Sequence, residues 1–279
     1  MALVDVPTLA RWLAQDEPLT LIDVRWKLGG PPGRDLYLTG HLPGAVFLDL
    51  DTDVTGAPGV GGRHPLPEPA VLQAALQRAG VHGRKRVVVY DDGDGMPAAR
   101  LWWTLRWAGH PDVAVLDGGL GAWLAAGQPL QAGAVSPEPG DMTVQPGGMP
   151  VLDAAGAAEL ARTGVLLDAR APARYRGEQE PIDPVAGHIP GAVNLPYASL
   201  VEESGRLRPL HAWKDALPAS IGQEGVLPTI GAYCGSGVTA AHTVLALEAA
   251  GLGTASLYVG SWSDWVSDPS RPVATGEQA

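Results

Sequence analysis

One half of this sequence repeats the other, and this repeat is the strongest constraint on its fold. Five blocks recur in the same order. In the first half they are LTLIDVR (19–25), GHLPGAVFLDL (40–50), VVVYD (87–91), ARLWWTLRWAG (99–109) and VAVLDGGLGAW (113–123). In the second half they are GVLLDAR (164–170), GHIPGAVNLPY (187–197), IGAYC (230–234), AAHTVLALEAAG (240–251) and ASLYVGSWSDW (255–265). Five ordered matches, offset by about 145 residues, indicate two copies of one fold.

The chain length allows two domains of ordinary size, as the repeat requires. The chain has 279 residues, of which 46% are hydrophobic and 18% charged, a composition typical of globular proteins. The segment between the two copies is rich in Pro and Gly and lacks periodicity, which indicates a linker. We therefore predict a first domain over residues 1–130, a linker over 131–150 and a second domain over 151–279.

Short apolar runs alternate with helical patterns in each copy. Val87–Tyr90 and Leu166–Leu167 are apolar at consecutive positions, as strands are when both faces of the sheet are buried. Helical patterns cover Ala70–Ala79 and Ala240–Ala250, and another begins near the N-terminus with Leu9 on its apolar face. The alternation predicts an α/β fold class: two tandem domains of similar fold, each a mainly parallel sheet flanked by helices.

The charge and hydropathy of the chain exclude two classes of partner. A net charge of −11 would repel a phosphate backbone, and the basic run Arg84–Arg86 is typical of a solvated loop, so we expect no nucleic-acid partner. Apolar runs stay short of the roughly 18–20 residues that span a bilayer, and the N-terminus lacks a leader pattern, so we expect no membrane partner. One cysteine cannot form an intramolecular disulfide, which favours a cytoplasmic location.

The single cysteine, Cys234, stands where a strand pattern turns into a helix pattern. Gly235-Ser236-Gly237 separates it from a helical stretch that begins at Val238, and such a turn aims backbone N–H groups at one point. A thiol there is expected to have a lowered pKa and to act as a nucleophile. A lone cysteine is more often a small buried hydrophobe, but such a residue needs no glycines around a serine. The first copy has Asp91 at the equivalent position and so lacks the nucleophile.

These motifs together resemble the tandem rhodanese-domain sulfurtransferases. The resemblance rests on CGSGVTA (234–240), the paired GHxPGA blocks, the DVR and DAR strand ends and the GGLGAW and GSWSDW blocks, and it covers essentially the whole chain. It implies a ping-pong reaction in which Cys234 takes sulfur as a persulfide and passes it on. With one cysteine the acceptor must be external: thioredoxin, a small thiol or cyanide. The resemblance implies no cofactor.

The donor is expected to be a small sulfur-containing anion. The CGSGVT loop resembles that of the 3-mercaptopyruvate sulfurtransferases, whereas thiosulfate-specific members carry basic residues after the cysteine. The resemblance makes Arg174 the anchor of the donor and Arg176 the second choice. A second arginine, which these enzymes carry after Glu-Pro, is replaced here by Ile182-Asp183. Thiosulfate therefore remains the alternative donor. The other residues predicted to bind the donor belong to the loop after the cysteine: Gly235, Gly237, Val238 and Thr239.

The resemblance also implies a proton relay. Ser236 matches a serine that relays a proton with a histidine and an aspartate, here His64 and Asp51. Such a chain suits the departure of pyruvate enolate, which needs a proton. The alternative is that Ser236 is merely the small residue that a tight loop tolerates and that Asp51 caps a turn.

Other patterns support no further site. His41 and His188 are equivalent residues of the two copies. Because the copy without a thiol also has its histidine, we predict structural roles for both. The histidine and cysteine spacings suit no metal, and DGDG (92–95) lacks the later ligands of a calcium loop. Two other classes remain to be weighed. A Cys-dependent phosphatase would need an arginine where Ala240 stands, and a non-catalytic binding module would not need Cys234.

Overall fold

The chain folds into two compact units, each of which takes one short segment from the opposite half of the sequence. The computed structural model describes residues 1–218, 221 and 229–277. The first unit contains Met1–Gly56, Leu66–Gly148 and Glu202–Leu207. The second unit contains Ala57–Pro65, Met149–Val201 and the described part of Arg208–Ala279.

A five-stranded sheet forms the centre of the first unit. Its strands are β1 (Leu3–Val4), β2 (Leu19–Asp23), β3 (Val46–Phe47), β4 (Arg86–Tyr90) and β5 (Val113–Leu116). The helices that accompany it are α1 (Val6–Ala14), α2 (Gly33–Thr39), α3 (Pro69–Arg78), α4 (Met96–Trp107) and α5 (Gly119–Ala125). A π-helical turn, Leu50–Val54, follows β3.

The second unit repeats this plan. Its strands are β6 (Val151–Leu152), β7 (Val165–Asp168), β8 (Val193–Asn194), β9 (Ile230–Tyr233) and β10 (Ser256–Tyr258). Its α-helices are α6 (Ala154–Thr163), α7 (Pro172–Tyr175), α8 (Val238–Ala249) and α9 (Ser261–Trp265). Short 3₁₀ turns lie at Tyr197–Ser199, Leu210–Ala212 and Lys214–Ala216.

The two sheets have the same strand order. The first sheet runs β1-β5-β4-β2-β3 and the second runs β6-β10-β9-β7-β8, with parallel pairing throughout both. The repeat in the sequence therefore corresponds to a repeat in topology. The predicted fold class, two tandem α/β domains built on parallel sheets with helices, is confirmed. Because all strands of a sheet point the same way, their carboxyl ends meet at one edge, where open α/β sheets bind ligands.

The predicted elements form where the hydrophobic patterns placed them. Val87–Tyr90 lies within β4 and is fully buried, and Leu166-Leu167 lies within β7. The N-terminal helix buries Leu9, and its first turn is capped by Asp5, whose side chain accepts the backbone N–H of Thr8. The second copy begins its first helix in the same manner, with Asp153 accepting the N–H of Gly156. The same local chemistry therefore starts both domains.

The predicted linker runs along the first unit with regular backbone bonds. Gln131 exchanges two backbone hydrogen bonds with His41, Gly140 N–H donates to Gln77, and Gln145 N–H donates to Ala108. Close approach explains one of its glycines, because a Cβ on Gly140 would lie 1.9 Å from the carbonyl oxygen of Val81. These residues are therefore ordered against the unit that they follow.

Helix α8 follows the second unit's central strand and is buried on almost every side. A helix that is apolar all round belongs to a core rather than to a surface. Its one imidazole, that of His242, is buried with its ring 4.9 Å from the ring of Tyr197. Burial lowers the pKa of His242 to about 4.

Within the described ranges, no helix is long and apolar enough to cross a membrane.

The buried imidazole should make stability depend on pH. An unfolded histidine takes up a proton below pH ~6.5, whereas the folded state resists protonation down to pH ~4, so stability should fall as the pH drops between these values. We expect the free energy of unfolding to fall by roughly 1 kcal/mol more between pH 7.5 and 5.5 in the wild type than in His242→Leu. Urea titrations followed by tryptophan fluorescence measure this. The exposed His211 gives the control His211→Leu, which should keep the wild-type slope; an unchanged slope in His242→Leu would contradict the assignment.

Candidate active site

Cys234 lies at the carboxyl end of β9, where the strand turns into α8. The turn is possible because Gly237 adopts a left-handed conformation with φ of +81° immediately before the helix. The backbone N–H of Gly237 donates a hydrogen bond to Cys234 Sγ over 3.1 Å. Cys234 itself is only 2% exposed. The predicted strand, turn and helix are therefore present, and a backbone N–H points at the sulfur.

A second junction, between β10 and α9, fixes the cysteine loop from the other side. Ser261 Oγ accepts the backbone N–H of Cys234 over 3.1 Å. The N–H groups of Trp262 and Ser263 donate to the carbonyls of Cys234 and Gly235 over 2.9 and 3.0 Å. Ser261 has φ of +52°, which is unusual for a residue other than glycine and is maintained by these bonds. Backbone and side-chain hydrogen bonds from α9 thus position the loop.

The predicted loop residues differ in exposure. Gly235, Gly237 and Val238 are buried, whereas Ser236 and Thr239 are half-buried at the start of α8. The backbone of the loop thus forms the floor of the site, and the side chain of Ser236 is one that a bound molecule could reach.

The first unit shows what such a loop does when the sulfur is replaced. Asp91 follows β4 as Cys234 follows β9, and it is buried. Its carboxylate accepts the backbone N–H groups of Gly93, Gly95 and Ala98 over 2.8, 3.1 and 3.0 Å. Burial, together with the neighbouring charge of Asp94, raises the pKa of Asp91 to about 7 against the three N–H groups, which lower it. The loop of this fold therefore surrounds a carboxylate with N–H donors.

Ser236 contacts His64, as the sequence predicted, although 172 residues separate them. His64 belongs to the segment Ala57–Pro65, which the second unit takes from the first half of the chain. Its Nδ1 lies 2.8 Å from Ser236 Oγ, and the tautomer decides which atom donates. The imidazole is 7% exposed. The structure therefore brings two of the three predicted relay residues into hydrogen-bond contact.

Asp51, the third predicted relay residue, lies in the π-helical turn of the first unit. Its carboxylate Oδ2 accepts the indole N–H of Trp26 over 2.8 Å, and its backbone N–H donates to Asp49. Its membership in the relay stays a prediction.

Arg174 lies in the short helix α7 and faces the cysteine loop. Its guanidinium pairs with Glu180 at 2.6 Å and with Asp183 at 2.9 Å. Nη1 and Nη2 both lie 3.6 Å from the position that a Cβ on Gly235 would occupy. Although burial would raise the pKa of Glu180, its hydrogen bonds, first that from Arg174, lower it. Arg174 is thus held by two carboxylates close to the loop of Cys234.

Arg176, the second choice as anchor, has a different environment. It pairs with Glu178 at 2.8 Å and with Glu277 at 3.5 Å, and both carboxylates are exposed. Its role in binding stays a prediction, with less geometric support than that of Arg174.

Arg63 is a residue of the site that the sequence did not reveal. Its Nη2 lies 2.9 Å from the position of a Cβ on Gly235, and its Nη1 forms an ion pair with Asp183. Its only sequence cue is that it precedes His64, which the resemblance singled out. Its partner Asp183 follows Ile182, whose side chain is 45% exposed at the place of the missing arginine. The site therefore has two guanidinium groups beside its loop.

A buried ion pair at the end of β7 supports these residues. Asp168 and Arg170 pair at 2.6 Å, and Arg170 also donates to the carbonyl of Gly187. The first unit repeats the pair with Asp23 and Arg25, including the bond to a GHxPGA glycine. Because the thiol-free copy also has this pair, its role is structural.

The equivalent histidines of the two units, His41 and His188, also have structural contacts. His41 stacks on Tyr37 at 4.1 Å and His188 stacks on Tyr175 at 3.8 Å between ring centroids. Each imidazole also bonds a backbone carbonyl in its own unit. In the part of the chain that the structure describes, no group of three or more His, Cys, Asp or Glu side chains is arranged to hold a metal ion.

Comparison with known proteins defines the class. The rhodanese-like domain family matches the chain over residues 5–126 and 153–268. The chain belongs to the rhodanese-like domain family and contains two copies of that domain. The family membership predicted from the motifs is therefore confirmed.

Similar proteins match along nearly their whole length. A protein of Pseudomonas aeruginosa, whose name proposes a 3-mercaptopyruvate sulfurtransferase, is 47% identical and is matched over 98% of its length and 99% of this chain. SseB of Mycobacterium tuberculosis, whose name proposes a thiosulfate sulfurtransferase, is 44% identical over 97% of its length and 98% of this chain. The crystal structure of SseA from Escherichia coli, presented as a 3-mercaptopyruvate sulfotransferase, matches with a TM-score of 0.81 and 32% identity, over 98% of that chain and 94% of this one.

The buried ion pair of the second unit should be needed for folding. Removing Arg170 leaves the Asp168 carboxylate buried without its partner, so Arg170→Ala should lower the free energy of unfolding by about 3–5 kcal/mol. The exposed ion pair of Arg162 with Glu159 provides the matched control, and Arg162→Ala should cost less than about 1 kcal/mol. Urea titration measures both changes. Equal small losses would show that the Asp168–Arg170 pair is dispensable.

Proposed function

We propose that this protein is a sulfurtransferase that carries sulfur as a persulfide on Cys234. The observation that carries the proposal is the placement of Cys234 Sγ at the end of β9, with the backbone N–H of Gly237 3.1 Å away. A thiolate is the nucleophilic form of cysteine, and N–H donors at a strand–helix turn stabilise it and any anion attached to the sulfur. The same loop geometry surrounds a carboxylate in the first unit.

The proposed donor is 3-mercaptopyruvate. The thiolate of Cys234 attacks the donor's sulfur, the carbon–sulfur bond breaks, and its electron pair leaves on carbon as pyruvate enolate. A proton then converts the enolate to pyruvate. The persulfide is next attacked by an external thiol or by cyanide, which takes the outer sulfur and restores the thiolate. With thiosulfate, the alternative donor, the leaving group is sulfite.

The contact between Ser236 and His64 supports mercaptopyruvate over thiosulfate. An enolate needs a proton, and a serine bonded to an imidazole can deliver it, whereas sulfite leaves without protonation. We propose that Ser236 and His64 form the proton relay and that Asp51 orients it. The neutral Gly-Ser-Gly sequence after Cys234 supports the same choice, because it adds no positive charge for a sulfonate. The relative named for thiosulfate keeps that donor as the second candidate.

The binding groups follow from the same geometry. We propose that Arg174 binds the donor's carboxylate, with Arg176 as the weaker candidate. The sulfur atoms of the persulfide are then held by backbone N–H groups of the loop, namely those of Gly235, Gly237, Val238 and Thr239. The acceptor is a thiol such as that of thioredoxin, a small thiol, or cyanide, since the chain has a single cysteine. We propose the reducing cytoplasm as the compartment, because this thiol must stay reduced between turnovers.

Sulfur transfer with two donors tests the proposal. The purified protein is given 3-mercaptopyruvate or thiosulfate at matched concentrations with cyanide as acceptor, and thiocyanate is measured. A kcat/KM at least tenfold higher with mercaptopyruvate is the expected result. A preference for thiosulfate would replace the donor and remove the reason for the relay. No transfer from either donor, with Cys234 reacting with iodoacetamide no faster than a free cysteine, would favour a non-catalytic binding module.

Cys234→Ser should abolish thiocyanate formation from both donors. A serine hydroxyl does not ionise near neutral pH and cannot form a persulfide, so less than about 1% of the wild-type rate should remain. Cys234→Ala, which removes the nucleophile without adding a hydroxyl, serves as the second variant. Circular dichroism spectra should match the wild type for both. Residual turnover of several per cent in either variant would contradict the role of Cys234.

The relay predicts a loss that depends on the donor. Ser236→Ala and His64→Gln should each lower kcat with mercaptopyruvate by about 10- to 100-fold, while kcat with thiosulfate should change by less than about threefold. Each variant is its own control, because the same preparation is assayed with both donors. Equal losses with both donors would mean that Ser236 and His64 only support the loop.

A further inference from the structure

Two guanidinium groups, one from each half of the sequence, lie beside the loop of Cys234. Arg63 Nη2 lies 2.9 Å, and Arg174 Nη1 3.6 Å, from the position that a Cβ on Gly235 would occupy. The ion pairs of Arg63 use Nη1 and those of Arg174 use Nε and Nη2. Arg63 Nη2 and Arg174 Nη1 both lie near the loop, and neither takes part in these ion pairs. Each can therefore donate to a bound molecule.

The backbone around Arg63 is held in a definite position. Its N–H donates to Ser263 Oγ over 3.1 Å, and Ser263 Oγ in turn donates to the carbonyl of Gly260. The preceding residue, Gly62, has φ of +98°, and a Cβ there would lie 2.5 Å from the carbonyl oxygen of Gly260. Only glycine meets both conditions. Arg63 therefore enters the site from a fixed segment rather than from a mobile surface loop.

Asp183 joins the two arginines. Its Oδ1 pairs with Arg63 and its Oδ2 accepts from Arg174 Nη2 over 2.9 Å. The Asp183 side chain is 2% exposed, whereas those of Arg63 and Arg174 are 27% and 15% exposed. The carboxylate is thus buried, while both arginine side chains that it pairs with keep some exposure.

Charge shows why one arginine is insufficient. Arg174 alone faces two carboxylates, those of Glu180 and Asp183, so the group would carry a net negative charge and would repel an anionic donor. Arg63 brings the set to neutrality. Arg170 Nη1 also lies 3.5 Å from Glu180 Oε2, but because Arg170 is balanced by Asp168 this pair does not change the count.

We propose that Arg63 is the second anion-binding residue of this site and a determinant of donor specificity, with Asp183 as the positioning residue that sets its spacing from Arg174. It takes over the work of the arginine that Ile182 replaces. The ligand class is a small sulfur donor whose carboxylate lies two or three bonds from the transferred sulfur. The inference rests on the proposed function for its reaction, but its binding claim concerns any small anion that reaches Cys234.

Alkylation of Cys234 tests the binding claim without requiring sulfur transfer. Iodoacetate carries a carboxylate and iodoacetamide is its neutral counterpart, so the ratio of their rate constants reports attraction of an anion to the thiol's surroundings. Arg63→Ala should lower the iodoacetate-to-iodoacetamide ratio at least about fivefold through the iodoacetate rate, as should Arg174→Ala. Arg162→Ala, which removes an exposed arginine of the same unit, should leave the ratio unchanged. The effect should shrink at high salt.

Arg63→Met keeps most of the side-chain volume and covers the case in which Arg63→Ala does not fold. An unchanged ratio in the variants of Arg63, or an equal fall of both rate constants, would overturn the inference, because Arg63 would then be absent from binding or would only support the loop.

Steady-state kinetics add a second reading. Arg63→Ala should raise KM for mercaptopyruvate about tenfold or more and change kcat less than about threefold, because binding rather than chemistry is lost. A kcat loss without a KM change would also overturn the inference. If the protein transferred no sulfur but the alkylation ratio fell, the proposed reaction would fail while the anion site stood.

Discussion

The ion pair at the end of β7 is the interaction on which the second unit's active edge depends. Arg170 pairs with Asp168, donates to the carbonyl of Gly187 and lies 4.4 Å over the ring of Trp262. It thereby joins a central strand, the GHIPGA loop and the helix whose N-terminus fixes the cysteine loop. A buried charge pair with its hydrogen bonds satisfied is sensitive to the loss of either partner. The first unit has the equivalent pair, so it belongs to the fold itself.

Comparison of the two units separates fold from chemistry. Both have the same sheet order and the same turn after the central strand. Three backbone N–H groups donate to the side chain of the first residue of that turn in the first unit, and one, that of Gly237, donates to it in the second. In one unit this residue is Asp91, whose carboxylate occupies the loop and cannot accept a transferred sulfur atom. In the other it is Cys234, whose sulfur can accept a further atom. The scaffold thus aims backbone N–H donors at this position, and a single side chain decides whether chemistry happens there.

Much of this could be predicted from sequence, because periodicity and glycine positions are local properties. The repeat, the strands, the turn at Cys234 and the contact of Ser236 with His64 all follow from short motifs or from the resemblance that they support. Arg63 could not be found in that way. Its partner Asp183 is 120 residues away, and an arginine after two glycines has no pattern of its own. The membership of Ala57–Pro65 in the second unit depends on tertiary contacts, which local patterns do not encode.

That segment changes what counts as one copy of the duplicated chain. If the thiol-bearing half were inherited alone, it would lack both the imidazole at Ser236 and the guanidinium at Asp183, since His64 and Arg63 are encoded in the other half. Nine residues of the copy without a thiol, Ala57–Pro65, are part of the folded unit that contains Cys234. The thiol-bearing half of the sequence therefore does not encode the whole of its own unit.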